Sequence, residues 1–489
     1  MEADKVSSIQ FASRRRRAVV ISVLTMALLV SLALSKIPAQ QVPVAPAAPP
    51  VHRYAVVVSK ATAADPAWAA VIDALKKKHR ATVFQYSEGI SETRESVGRY
   101  RPRYVCFVCP PTEDFPSFVA SANRLCRTLD QDPYADAIWG ILTGASAKHA
   151  LEVLQSDPVA IRKAYTKTLG KWMNWVSEGQ FVTEFQSRRG EQGKKLPGKD
   201  LVVTHDGPQS DEDDARRVAA TLTEDAFDLI IGSGHGNHDR WMLMYPRGSA
   251  FLVSRDGKLT VHGKDIQLPV ENAHPKVYWA VGNCLTGVIN DGRNSHRHSY
   301  ALAWMRNGAR QYIGAVKSTW YELNWNMADW FLKQQGRWTF SESLFLLRQW
   351  SRHRLADGLV TGRDKQGVEF TDEIFVLYGD PAFEARVAPS RAPALEESLD
   401  VQAINGGRYR FTYTVKVNFV GEGRKRTAAP DGGWRVFTAL LPFQVSDVAD
   451  QETDFKKVVV ADETLIWDAG VGLQVGDVRR LTFTATRRR

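Results

Sequence analysis

From Tyr54 to about Val387 the chain alternates short apolar runs with helical patterns, and this alternation restricts its fold more than any other feature. The runs are "YAVVVS" (54–59), "ATVFQY" (81–86), "YVCFVC" (104–109), "LVVTH" (201–205), "DLIIGS" (228–233) and "KVYWAV" (276–281). They are continuous rather than alternating in polarity, as strands covered on both faces are. Between such runs, "PAWAAVIDALKKKH" and "DEDDARRVAATL" place apolar residues at helical spacing. The expectation for residues 54–388 is an α/β domain, a largely parallel sheet with helices on both faces. Ligands of such sheets gather at the carboxyl ends of the strands.

The texture changes near Pro389. "RYRFTYTVKVNFV" (408–420) alternates strictly, and "WRVFTALLPFQV", "FKKVVVADETLIW" and "VRRLTFTATRRR" continue in β-rich segments split by Gly and Asp turns. Residues 389–489 therefore read as an all-β, immunoglobulin-like sandwich with a structural or docking role. At the other end, "RRRR" (14–17) precedes 18 uncharged residues, Ala18 to Ser35. That length is at the short end of a bilayer span, and the arginines place the rest of the chain on the extracytoplasmic side. Residues 36–50 read as an extended Pro/Ala spacer, so 1–53 stand outside the fold, anchored in the membrane through residues 18–35 or secreted after cleavage.

The formal charge of +10 resembles a nucleic-acid signal, but residues 1–36 carry +4 of it, leaving +6 for 453 residues. With no basic-aromatic stripe to follow a phosphate backbone, nucleic acid is excluded as a partner. Of the four cysteines, Cys106, Cys109 and Cys126 lie in apolar surroundings, and no second C-x-x-C completes a zinc site. They read as buried core thiols, with one disulfide through Cys126 open in an exported chain. Cys284 stands apart.

Two of the predicted strands end in residues with usable chemistry: "LIIGSGHGNHDRWM" (229–242) delivers His235 and "KVYWAVGNCLTG" (276–287) delivers Cys284. A cysteine hydrolase needs a thiolate to attack a carbonyl, a proton donor for the leaving group and N–H groups for the oxyanion. Glycines flank the histidine, and the cysteine sits at a turn out of a strand. These blocks, with "DPYADAIWG" (132–140) and "LYGDPAF" (377–383), resemble the gingipain-type family of cysteine peptidases of the caspase/legumain clan over roughly residues 130–385. The resemblance implies a caspase-like fold, Cys284 as nucleophile, His235 as general acid, and an oxyanion hole from the N–H groups of Gly236 and Cys284. It also implies protein or peptide substrates and no required cofactor; the sequence does not decide structural calcium.

In the arginine-specific members, the segment corresponding to "THDGPQSDEDDARRV" carries the acid of the S1 pocket, and Asp211 matches it by position. The same residue stands at a helix start, with Ser210 as N-cap and Asp213 as its capping partner, where the helix dipole alone favours acids. The segment "MYPRGSAFLVSRDGKLTVHGKDIQLPV" (244–270) reads as a β-hairpin turning at "RDGK". Two other readings compete with the peptidase: an inactive homologue that binds on the same fold, and a metal-dependent hydrolase built on His235, His238 and Asp239, with His205, Asp206, His296 and His298 as distant ligands.

Overall fold

The computed structural model describes residues 52–321, 323–420 and 435–488. The segment 18–35 and the spacer 36–50 lie outside the described residues, within which no helix is long and apolar enough to cross a membrane. The described residues form one compact unit.

Its centre is a twelve-stranded sheet. In chain order the strands are β1 (Tyr54–Ser59), β2 (Thr82–Tyr86), β3 (Tyr104–Val108), β4 (Ile138–Leu142), β5 (Lys163–Thr166), β6 (Glu178–Val182), β7 (Gln192–Lys195), β8 (Val202–Thr204), β9 (Leu229–Gly232), β10 (Lys276–Ala280), β11 (Ala309–Ala315) and β12 (Phe375–Tyr378). They lie in the order β2-β1-β3-β4-β12-β11-β10-β9-β5-β6-β7-β8. Neighbours are parallel except at β12/β11 and at the last two pairs. The antiparallel β12/β11 contact divides the sheet into two parallel blocks that run in opposite directions. Each block thus has its own carboxyl end, on opposite edges of the molecule.

All six apolar runs become strands within a residue of their expected bounds, and β1, β3, β9 and β10 are almost wholly buried. "LVVTH" departs from expectation. Its strand, β8, is the antiparallel outer edge of the sheet, with Val202 62% exposed, so its apolar run marks a bare edge and not a covered centre.

The helices that fix the site and its surroundings are α1 (Pro66–His79), α2 (Ala147–Leu154), α3 (Asp211–Glu224), α4 (Tyr300–Arg306) and α5 (Phe340–Ala356). α1 begins at Asp65, whose carboxylate accepts from Ala67 N at 2.8 Å, with proline in the first turn, where its missing N–H costs nothing. α3 begins where expected, Ser210 Oγ accepting from Asp213 N at 3.0 Å. The segment 244–270 contains the expected hairpin, Phe251–Arg255 against Lys258–His262, and Asp256 and Gly257 both take the positive φ that a tight two-residue turn demands.

Among the described residues the carboxyl-terminal module is an antiparallel sandwich of a four-stranded and a three-stranded sheet. The strictly alternating segment forms Arg408–Val417, which buries Phe411, Tyr413 and Val415 and turns the intervening residues outward. Trp467 from the opposite sheet donates to Tyr413 Oη at 3.1 Å and joins the two layers. The module is not a loose appendage. Trp330 Nε1 donates to Thr438 O at 2.9 Å, Thr438 Oγ1 to Leu346 O at 2.9 Å, and Gln349 Nε2 to Thr464 Oγ1 at 2.9 Å, which pins it to α5 and to the short helical turn before it through buried hydrogen bonds.

Asp380, just past β12, is a buried anchor. It accepts from Tyr54 Oη at 2.8 Å, and His79 Nε2 and Lys78 Nζ lie 2.7 and 3.1 Å from its second oxygen. Burial opposes ionisation, but His79 and Lys78 outweigh it and hold the carboxyl well below the usual range. A depressed folded-state value contributes stability that is complete above the unfolded value of about 4 and is lost as pH falls through the folded one. Asp380→Asn should therefore cost about 3 kcal/mol at neutral pH, and the difference from the wild type should shrink in urea unfolding below about pH 4. A gap that stays constant down to acid pH would refute the assignment.

Candidate active site

The site is assembled where β9 and β10 end side by side. Gly232 lies opposite Ala280 in parallel register, and Val281 N continues the ladder to Gly232 O at 2.8 Å. Beyond the strands the two loops stay together. Asn283 Nδ2 donates to Ser233 O at 2.6 Å, and a Cβ built on Gly236 would meet Asn283 Cβ at 2.9 Å and Thr286 Cγ2 at 2.8 Å. The residue after His235 thus abuts the residue before Cys284. His235 is exposed and Cys284 partly so.

Cys284 differs from the other three thiols. All four cysteines are free, so the disulfide considered for Cys126 does not form. Cys106, Cys109 and Cys126 are buried, and burial pushes each of their thiols well up. Cys284 Sγ instead receives the N–H of Thr319 at 3.3 Å, with Thr319 Oγ1 at 3.4 Å. The Thr319 carbonyl oxygen lies 3.6 Å from the same sulfur, so one residue supplies all three of its polar contacts. The next residue, Leu285, adopts φ 60°, a left-handed conformation costing an L-residue about 1 kcal/mol. This turn carries the chain away from the strand direction, and Cys284 stays partly exposed at the strand's end.

His235 is supported from below. Its ring lies 5.0 Å from that of Tyr245, whose own N–H donates to Glu184 O at 2.5 Å. Gly234 sits at φ 73°, and a Cβ there would meet the Glu184 carboxylate at 2.6 Å, so only glycine lets the loop close over that acid. Glu184 is 3% exposed and accepts from Ser233 Oγ at 3.0 Å. Burial raises its pKa, against hydrogen bonds from Thr168 and Ser233 and the positive fields of Lys167 and His235. Among the described residues no hydrogen bond joins the His235 ring to Cys284.

The two N–H groups expected to form an oxyanion hole differ in how far their surroundings define them. Met242 N donates to His235 O at 3.0 Å, so the Gly236–Trp241 pair of the hairpin falls in the non-hydrogen-bonded register. The Gly236 N–H is left without a ladder acceptor. Cys284 N–H has no backbone acceptor among the described residues outside the ladders.

Asp211 does not present a free carboxylate. One oxygen accepts from Arg189 Nη2 at 2.6 Å and the other from Ser249 N at 2.8 Å and Ser249 Oγ at 3.0 Å. Burial works against its ionised form, but these partners prevail and hold the carboxyl below its usual range. The charge that an arginine substrate would need is already met by Arg189. The metal reading fares no better. Asp239 is held bidentately by Arg240 at 2.9 and 2.7 Å, and among the described residues the one group of three His, Cys, Asp or Glu side chains close enough to share an ion is Asp130, Asp136 and Asp462. His205 is exposed on the β8 edge, with Asp206 bonded to Gln192 at 3.1 Å, and His296 and His298 lie on a separate turn. The acidic trio is partly neutralised by Arg488, which pairs with Asp462.

Two supporting residues are not apparent from sequence reasoning. Glu184 had a signal, a lone acid in the apolar run "FVTEF". Thr319 had none, because only the β11 connection brings it to Cys284.

The architecture is an α/β domain with a mostly parallel sheet, followed by an all-β sandwich. No family model matches the sequence, and no curated protein matches it. Among solved structures, the chain is similar to one described as "Structure of Protease", with 10% identity and a TM-score of 0.41, over 89% of this chain and 97% of that one.

Proposed function

We propose that the protein is a cysteine endopeptidase that works through His235 and Cys284. The observation that carries this reading is the contrast among the thiols: three are buried, while the fourth lies at a paired strand end, partly exposed, with an N–H aimed at its sulfur and a histidine loop packed beside it. In this mechanism the Cys284 thiolate attacks the scissile carbonyl carbon and the Gly236 and Cys284 N–H groups receive the oxyanion. His235 gives a proton to the departing amine, and water then hydrolyses the thioester. Tyr245, 38% exposed beside His235, and Trp320, 44% exposed next to Thr319, supply aromatic surface for substrate side chains. With Asp211 engaged by Arg189, these surfaces favour an apolar residue before the scissile bond. Export and membrane attachment through residues 18–35 are part of the same proposal and rest on the sequence.

A peptide carrying an alkylating group should label Cys284 and stop hydrolysis, whereas phenanthroline should leave the rate unchanged. Inhibition by the chelator without sensitivity to alkylation would reverse the assignment. Glu184 enters as a positioning residue, its buried carboxyl lying beneath the loop that carries the imidazole. Glu184→Gln should lower kcat by about ten- to a hundredfold with KM unchanged. A variant that changes only KM, or only thermal stability, would show that Glu184 serves the loop's packing alone.

A further inference from the structure

We propose that a second site, a cavity at the carboxyl end of β4, binds a small phosphorylated ligand between Arg297 and Arg306. The two blocks of the sheet run in opposite directions, and the cavity brings Ala145, three residues past β4, against the hairpin turn and the 296–298 turn from the other block. Carboxyl ends of parallel strands are where α/β sheets leave room for ligands, and the first block has no use for its end in the proposed peptidase reaction.

The cavity has a volume of about 390 Å³, within the range of small-ligand sites. It is lined by Ala145, Asp256, Gly257, His296, Arg297, Leu302 and Arg306. The lining is therefore cationic, with Asp256 as its one acid. The hydrogen bond that Arg306 makes there is a long one, Nη1 to the Asp256 carbonyl oxygen at 3.5 Å, and among the described residues neither Arg297 nor Arg306 stands within ion-pair distance of a carboxylate. Burial and the positive charges of Arg297 and Arg306 hold His296 below its usual range, so the two cations outweigh Asp256 at that ring.

The geometry is built rather than incidental. Gly257 N donates to Arg297 O at 2.9 Å, tying the hairpin turn to the 296–298 turn. A Cβ on Gly257 would overlap the Arg306 guanidinium, so the bare backbone at φ 73° is what lets that side chain lie against the turn. α2 starts at the same cavity. Ala145 lines it, and Ser146 caps the helix by accepting from His149 N at 3.3 Å, so the positive end of the helix lies beside the cavity. Two planar guanidinium groups and a helix amino terminus match the oxygens of a phosphate better than those of a single carboxylate.

The test uses the full-length protein and inorganic pyrophosphate as probe, titrated calorimetrically at fixed ionic strength. Saturable binding is expected. Arg297→Ala and Arg306→Ala should each weaken it about tenfold or more, as expected for loss of a charge-assisted hydrogen bond. Arg306→Lys should fall between, since an ammonium keeps the charge and loses the fork. Gly257→Ala should weaken binding without removing a charge, and Cys284→Ala should leave it unchanged. Arg306 is exposed, so its variants should unfold at the wild-type temperature. Competition by adenosine diphosphate would identify a soluble nucleotide as the source of the phosphate, and pyrophosphate-reversible sedimentation with phosphatidic acid vesicles would identify a lipid headgroup. Either supports the site. No saturable binding at millimolar pyrophosphate, or equal affinity in the Arg297→Ala/Arg306→Ala double variant, would overturn it.

Discussion

Cys284→Ala should abolish peptide hydrolysis and alkylation at the site while leaving the unfolding transition almost where it was. The thiol is partly exposed and its partners are the N–H, carbonyl and hydroxyl of Thr319. Exchange for a methyl group thus leaves one N–H that water can satisfy and costs under about 1 kcal/mol. The catalytic loss is of another size. Removing the nucleophile of a covalent mechanism lowers the rate by at least about a thousandfold, and what remains comes from binding and the oxyanion donors. The assay follows hydrolysis of a peptide library, with urea unfolding in parallel. Hydrolysis that survives in the variant would eliminate the thiolate mechanism. A wild-type chain that binds peptides beside Cys284 without cutting them would instead be the binding homologue.

The second large effect is on stability. Lys167 Nζ lies 2.5 and 2.7 Å from the two oxygens of Asp214, and their side chains are 0% and 2% exposed. The pair joins the carboxyl end of β5 to the first turns of α3. Its net contribution is small, because desolvating two charges offsets most of their attraction. Breaking one half strands the other in a low-dielectric interior. Lys167→Met should therefore cost about 3–5 kcal/mol in urea unfolding, a large part of the roughly 5–15 kcal/mol that holds a folded protein together. The double variant Lys167→Met/Asp214→Leu should recover most of that loss. If the single variant loses under about 1 kcal/mol, water reaches the pair and the burial argument fails.

Much of the fold was legible because buried parallel strands must be apolar on both faces. β1, β3, β9 and β10 announce themselves for that reason, and the strict alternation of 408–420 announces a strand with one wet face. The limits have equally physical causes. "LVVTH" has the composition of a covered strand, but coverage depends on what packs against it, and at the sheet's edge nothing does. β5, β6 and β7 carry polar and glycine residues and gave no continuous run. The reversal between β12 and β11 has no local signature, since direction in a sheet is decided by the chain's route and not by any residue in the strand.

The same division holds at the site. The sequence by itself placed His235 and Cys284 each just past the end of a buried strand, because an apolar run followed by glycine and a reactive residue encodes that position locally. It also named Asp211 for a substrate cation, since charge and spacing are all a sequence can offer. Only the tertiary structure decided that Arg189, 22 residues earlier in the chain, takes that charge, that Thr319 turns its N–H to the sulfur, and that Glu184 lies beneath the histidine loop. Each of these joins segments far apart in sequence. Such contacts follow from which strands are neighbours, and that order is a property of the whole sheet.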